Sequence, residues 1–139
     1  MDKRLLIGLA VAAVITVALY WLTGDSKALV TGDLANNQEE MTALAQSMLS
    51  GDTDEALLDK YTATYDIDCY AEQEMVQFTV AGSAYNGVYY SASDEPLAFQ
   101  GTEAELIADD SGWTWVAEGD NGGRTEKLSD NWYYFEAWF

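Results

Sequence analysis

The sequence predicts an α+β protein: an N-terminal transmembrane helix, then one or two helices packed on a six- or seven-stranded antiparallel meander. Three observations carry that class. Leu5 to Leu22 runs without a charge. Between Met41 and Leu49 the apolar residues recur at helical spacing, and from Tyr65 onward the spacing changes to two, with turn residues roughly every ten positions.

Composition sets the outer bounds. The chain has 139 residues with 24 Asp plus Glu against 6 Lys plus Arg, no histidine and a formal charge of −18. Such a length allows one domain, and such a charge excludes a basic nucleic-acid binder. Apolar residues make up 49%, with 5 Trp, 9 Tyr and 4 Phe, too much for the disordered class. Without histidine and with Cys69 as the one cysteine, Ser-His-Asp and Cys-His nucleophiles, His-ligated metals, Cys-rich zinc sites and an internal disulfide are excluded. Lys27, Lys60 and Lys127 are scattered and there is no Gly-rich phosphate loop, so no cofactor is expected.

As a helix, Leu5–Leu22 spans roughly 27 Å, enough to cross a hydrocarbon core of about 30 Å. Lys3 and Arg4 precede it, whereas Asp25, Asp33, Glu39 and Glu40 follow. The positive-inside rule then places the N-terminus in the cytoplasm and the rest outside the cell membrane, with Tyr20 and Trp21 at the outer interface. The alternative is a cleaved, secreted protein, because Ser26-Lys27-Ala28 puts small residues before Leu29. Against it, the run is longer than the about 7–15 residues of an ordinary signal core. Gly8, Ala12 and Thr16 form a stripe of small residues suited to self-association through the helix.

The expected organisation is therefore an anchor over 1–24, a tether over 25–36 and an acidic extracytoplasmic domain over 37–139. Setting aside Asp2, Lys3 and Arg4 leaves 23 acidic and 4 basic side chains beyond the anchor, a net charge of −19. Mutual repulsion is expected to raise the carboxylate pKa values, so that stability falls as pH rises toward neutrality.

Gly24 to Ala35 lacks periodicity and reads as the tether. Asn36 or Asn37 caps the next helix with Glu39 or Glu40, and Met41, Leu44, Ala45, Met48 and Leu49 form its apolar stripe up to Gly51. Asp52 with Glu55 repeats the cap before Leu57, Leu58 and Tyr61. Strands follow at Tyr65 to Tyr70, Val76 to Val80, Val88 to Ala92, Leu97 to Gln100, Trp113 to Ala117, Thr125 to Leu128 and Trp132 to Phe139. Asn86-Gly87, Asp94-Glu95-Pro96, Asp109-Asp110-Ser111-Gly112, Asp120-Asn121-Gly122-Gly123 and Ser129-Asp130-Asn131 read as the connections.

The string Tyr89-Tyr90-Ser91, Glu95-Pro96, Phe99-Gln100-Gly101, Gly112-Trp113-Thr114-Trp115, Asp120-Asn121 and Asn131-Trp132-Tyr133-Tyr134, with Glu136 and Phe139, resembles a group of small bacterial membrane-anchored proteins. Their C-terminal β region is rich in Trp and Tyr. The resemblance covers roughly the last sixty residues and implies a bacterial surface location; it brings no activity with it.

Chemistry-bearing patterns have plainer readings. Carboxylate pairs such as Asp66 and Asp68 suit a glycosidase, but acids this abundant pair by chance. Asp109-Asp110 and Asp120-Asn121 resemble calcium loops without the closing glutamate, and turn chemistry accounts for them. Cys69 shares a strand face with Tyr65 and Ile67 and is expected in the core, an intermolecular disulfide being its other use.

Aromatics are the remaining signal. In the last strand Trp132, Tyr134, Glu136 and Trp138 share one face, and Tyr133, Phe135, Ala137 and Phe139 the other. Burying Glu136 is costly, so Tyr133, Phe135 and Phe139 are assigned to the core, and Trp132, Tyr134, Glu136 and Trp138 to a binding surface, with Trp113 or Trp115 adjoining. The function expected is a single-pass, non-enzymatic binding or interaction module, its protein or glycan partner unspecified. A carbohydrate-binding module using these aromatics is the alternative. A pilin-like filament subunit is third, opposed by the lack of a glutamate early in the apolar run and by the break at Gly24-Asp25-Ser26.

Overall fold

The computed structural model describes residues 26–82 and 85–139. The expected membrane segment Leu5–Leu22 lies outside them; among the described residues no helix is long and apolar enough to cross a membrane. What they form is two helices packed on a seven-stranded antiparallel sheet.

Helix α1, Ser26–Ser50, overturns the expected tether. The stretch read as irregular is helical and places Val30 and Leu34 in the core. The Asn36-Asn37 signal marks a kink within α1 rather than its start. Asn37 leaves helical geometry (φ −127°, ψ 16°), and its side-chain amide donates back to the Asp33 carbonyl and carboxylate. Beyond the kink, Met41, Leu44 and Ala45 are fully buried, as the stripe predicts. Gly51 (φ +82°) ends the helix in a Schellman motif, with Gly51 N donating to Met48 O and Asp52 N to Ser47 O. Helix α2, Glu55–Thr62, is capped by Asp54, not Asp52: the Asp54 carboxylate accepts from Leu57 N.

The strands are β1 Tyr65–Tyr70, β2 Met75–Val80, β3 Asn86–Ser91, β4 Leu106–Ala108, β5 Trp113–Val116, β6 Gly122–Ser129 and β7 Trp132–Trp138. Their order, β1-β2-β3-β7-β6-β5-β4, is two meanders joined by the β3–β7 pair, where a single meander was expected. Leu97–Gln100 is not a strand. It belongs to the connection 92–105, which contains a short 3-10 turn at Phe99–Gly101, and Leu106–Ala108 takes its place in the sheet.

Asn86-Gly87 and Gly122-Gly123 are strand residues and not turns, and their glycines stand where a side chain would collide with a neighbour. A Cβ on Gly87 would come 1.9 Å from the Phe78 carbonyl oxygen, and one on Gly123 would come 2.4 Å from the Trp115 ring.

Both faces of the sheet are covered. On one, α1 and α2 lie over Tyr65, Val76, Phe78, Val88, Tyr90 and Trp132. On the other, Leu97, Ala98 and Phe99 of the connection meet Met75, Tyr89, Tyr133 and Phe135, and the sheet curls so that Leu106, Trp113 and Trp115 join the same cluster. Cys69 is exposed and not core, because cover over β1 thins from buried Tyr65 through Ile67 to its far end.

Candidate binding surface

Strand β7 carries the expected site, and the structure divides it. Trp132 is 0% exposed: its indole N–H donates to Thr42 Oγ1 on α1, and its ring packs on Phe78 and Tyr90. Tyr134 is 4% exposed, with the Lys27 ammonium 5.1 Å from its ring centre. The assignment of these two to an open surface is corrected, since the amphipathic helix covers their face after all. Glu136 and Trp138 stay exposed, Trp138 at 47%. Phe139, assigned to the core, is 61% exposed, whereas Tyr133 and Phe135 are buried as expected. Of the adjoining candidates, Trp115 is buried and Trp113 half-buried.

An aromatic rim is what remains, at one end of the sheet. Register fixes the end: Asn86 pairs Glu136 across β3–β7, Arg124 pairs Glu136 and Gly122 pairs Trp138 across β6–β7, and Val116 pairs Gly122 across β5–β6. The Trp138 indole lies against Gly122, where a Cβ would be 2.8 Å from Nε1. Phe139 meets Tyr85 edge to face at 4.8 Å, and both reach Phe99 at 5.6 and 5.8 Å. Tyr85 is 48% exposed and Val116 69%. Tyr85, Val116 and Phe139 were missed as surface residues. Val116, the last residue of β5, and Phe139, just past the end of β7, are legible in hindsight as strand ends where cover runs out; Tyr85 carries no such signal.

Ser26 and Lys27 of α1 sit at this same end. Asn86 Nδ2 donates to Ser26 Oγ at 2.8 Å, and Lys27 pairs with Glu126. All four cations among the described residues are held in ion pairs: Lys27 with Glu126, Lys60 with Glu40, Arg124 with Asp109 and Glu126, and Lys127 with Asp94.

The three carboxylates with resolved shifts move down, opposite to the direction expected from net repulsion. Lys60 and then Tyr61 lower Glu40; Lys127 and the Asn131 N–H lower Asp94; Arg124 and the Ser111 N–H hold Asp109 well below the usual range. Local hydrogen bonds outweigh the distant charges because they act at contact distance. Asp109 also accepts from Gly112 N, closing the β4–β5 turn. Burial pushes Tyr89 up to about 12, and burial followed by a hydrogen bond to a carboxylate raises Tyr65 (Asp33) and Tyr133 (Asp94) further.

No family model, curated protein or solved structure matches the chain.

Proposed function

We propose that this is a single-pass membrane protein that presents an acidic, non-enzymatic α+β module outside the cytoplasmic membrane and works by binding. One observation supports it above the rest. Leu22 ends the apolar run, and Ser26 already belongs to a helix built into the domain core, so Thr23, Gly24 and Asp25 are all that separate anchor from module in sequence. Cleavage after Ala28 would remove Ser26 and Lys27, whose side chains bond Asn86 and Glu126, which favours the uncleaved form. Binding rather than catalysis rests on how polar groups are used: among the described residues every buried side-chain nitrogen or oxygen is hydrogen-bonded, and the cations are engaged in ion pairs.

Carbonate-washed membranes should retain a chain with its intact mass of 15.3 kDa. A shortened chain in the medium would reject the anchor. The sugar-platform alternative keeps only Trp138 of its three exposed rings. The filament reading gains an observation, because α1 follows the apolar run and lies along the sheet as a filament-forming helix would. Electron microscopy of sheared cells decides it: filaments that vanish with the gene would favour that reading.

A further inference from the structure

The exposed apolar residues of the rim lie at the end of the sheet where Ser26 is bonded to Asn86. Leu22 to Ser26 is four residue steps, at most ~14 Å of chain even when fully extended. Ser26 is bonded to Asn86, Asn86 is in register with Glu136, and Trp138 is two residues, or about 7 Å, further along β7. Given the membrane span of the proposed function, on which this inference rests, the Tyr85–Trp138 end of the sheet cannot stand far from the bilayer. Trp and Tyr are the side chains enriched at a membrane–water boundary, where one end of the ring is apolar and the other wet.

We propose that Tyr85, Val116, Trp138 and Phe139 seat in the headgroup–acyl boundary of the outer leaflet, so that the module rests on the bilayer. The lipid surface is zwitterionic in character. Exposed Glu118, Asp120 and Glu136 lie at the same end and would be repelled by anionic headgroups. Docking therefore relies on buried apolar area and on the short connection, which keeps the local concentration of membrane high. The opposite end of the sheet, where Cys69 is in register with Val76, Val76 with Tyr90 and Tyr90 with Trp132, then points into water.

Cys69, exposed and the chain's one cysteine, supplies the control. The full chain is reconstituted in phosphatidylcholine vesicles with a nitroxide label either on Cys69 or on Phe139→Cys in a Cys69→Ser background. Val116→Cys is a second site in case the terminal label disturbs the rim. Collisions with oxygen and with a water-soluble nickel chelate are compared by electron paramagnetic resonance. The account expects labels at 139 and 116 to lose most nickel collisions and gain oxygen collisions, while Cys69 stays accessible to nickel. If the protein floats with the vesicles but labels at 139 and 116 read as watery as Cys69, docking is wrong and the anchor stands. Failure to float overturns both. Dimers cross-linked through Val116→Cys with no loss of nickel access would assign the rim to a second copy instead.

Discussion

The two faces of the sheet are buried by different means. Over Phe78, Val88, Tyr90 and Trp132 lies α1, whose backbone bonds are made within itself, so the polar contacts there join side chain to side chain: Trp132 Nε1 donates to Thr42 Oγ1, and the Tyr90 hydroxyl accepts from Gln46. Over Tyr89, Tyr133 and Phe135 lies the connection 92–105, whose amides have no ladder of their own. That face therefore carries buried polar atoms. Gln77 Oε1 accepts from Gln100 N, the Tyr89 hydroxyl accepts from Leu97 N, and Ser91 Oγ accepts from Glu95 N and donates to Glu95 O. A covering helix asks the sheet for no partners to its backbone, whereas a covering loop needs acceptors for its amides placed in the sheet beneath.

Truncating the rings at the centre of either face should have the largest effect. Trp132→Ala and Phe135→Ala should each lose about 3–5 kcal/mol of stability, because both rings are almost wholly buried, one on each face. Urea unfolding of the full chain in detergent, followed by near-ultraviolet circular dichroism, measures this. A small loss at Trp132 with a large one at Phe135 would mean the helix does not seal its face.

Next come the bonds that distinguish the faces. Tyr89→Phe and Gln77→Met leave the Leu97 and Gln100 amides without their acceptors, at a cost of about 1–3 kcal/mol each. Amide hydrogen exchange should quicken at Leu97 and Gln100 and stay unchanged in α1. Equal loss of protection in the helix would show that the faces are one cooperative unit.

The pH response sharpens the comparison further. Asp94 ties the loop face down through Lys127, Asn131 N and Tyr133, and its folded pKa is lowered. Its contribution is therefore present above the unfolded value of about 3.9 and is lost as pH falls through the lower folded value. Thermal melts from about pH 5 down to about pH 2 should show a fall that Asp94→Asn blunts. For the tyrosines the sign reverses. Tyr65 and Tyr133 have raised folded values, so their contribution is complete below about pH 10 and is lost as pH rises through the folded values. Tyrosinate absorbance from these rings should appear only together with unfolding. The smallest effect belongs to the rim, where half-exposed Trp138→Ala should lose about 1 kcal/mol or less.

Legibility followed the same division. The stripe Met41, Leu44, Ala45 and the existence of β1, β2 and β7 as strands were readable from side-chain period, which sorts residues to faces without telling how far each face is covered. Val30 and Leu34 were not, since Gly32, Asp33 and the Asn pair imitate a loop and only tertiary packing makes the segment helical. The connection 92–105 hid for the opposite reason: Leu97 to Gln100 has the composition of a strand, and the side chains that hold its amides lie elsewhere in the sequence, Tyr89 8 residues before Leu97 and Gln77 23 before Gln100. The binding surface was half legible. Period two put Trp132, Tyr134, Glu136 and Trp138 on one face, but which of them a distant helix covers depends on tertiary contacts such as Trp132 with Thr42, which no spacing encodes.

The central claim is that the acidic module stands outside the cytoplasmic membrane on the anchor Leu5–Leu22. Alkaline phosphatase fused after Phe139 tests it most directly, since that enzyme folds to activity only where its disulfides form. The account predicts an active phosphatase and a silent cytoplasmic reporter at the same position. A silent phosphatase beside an active cytoplasmic reporter would contradict it.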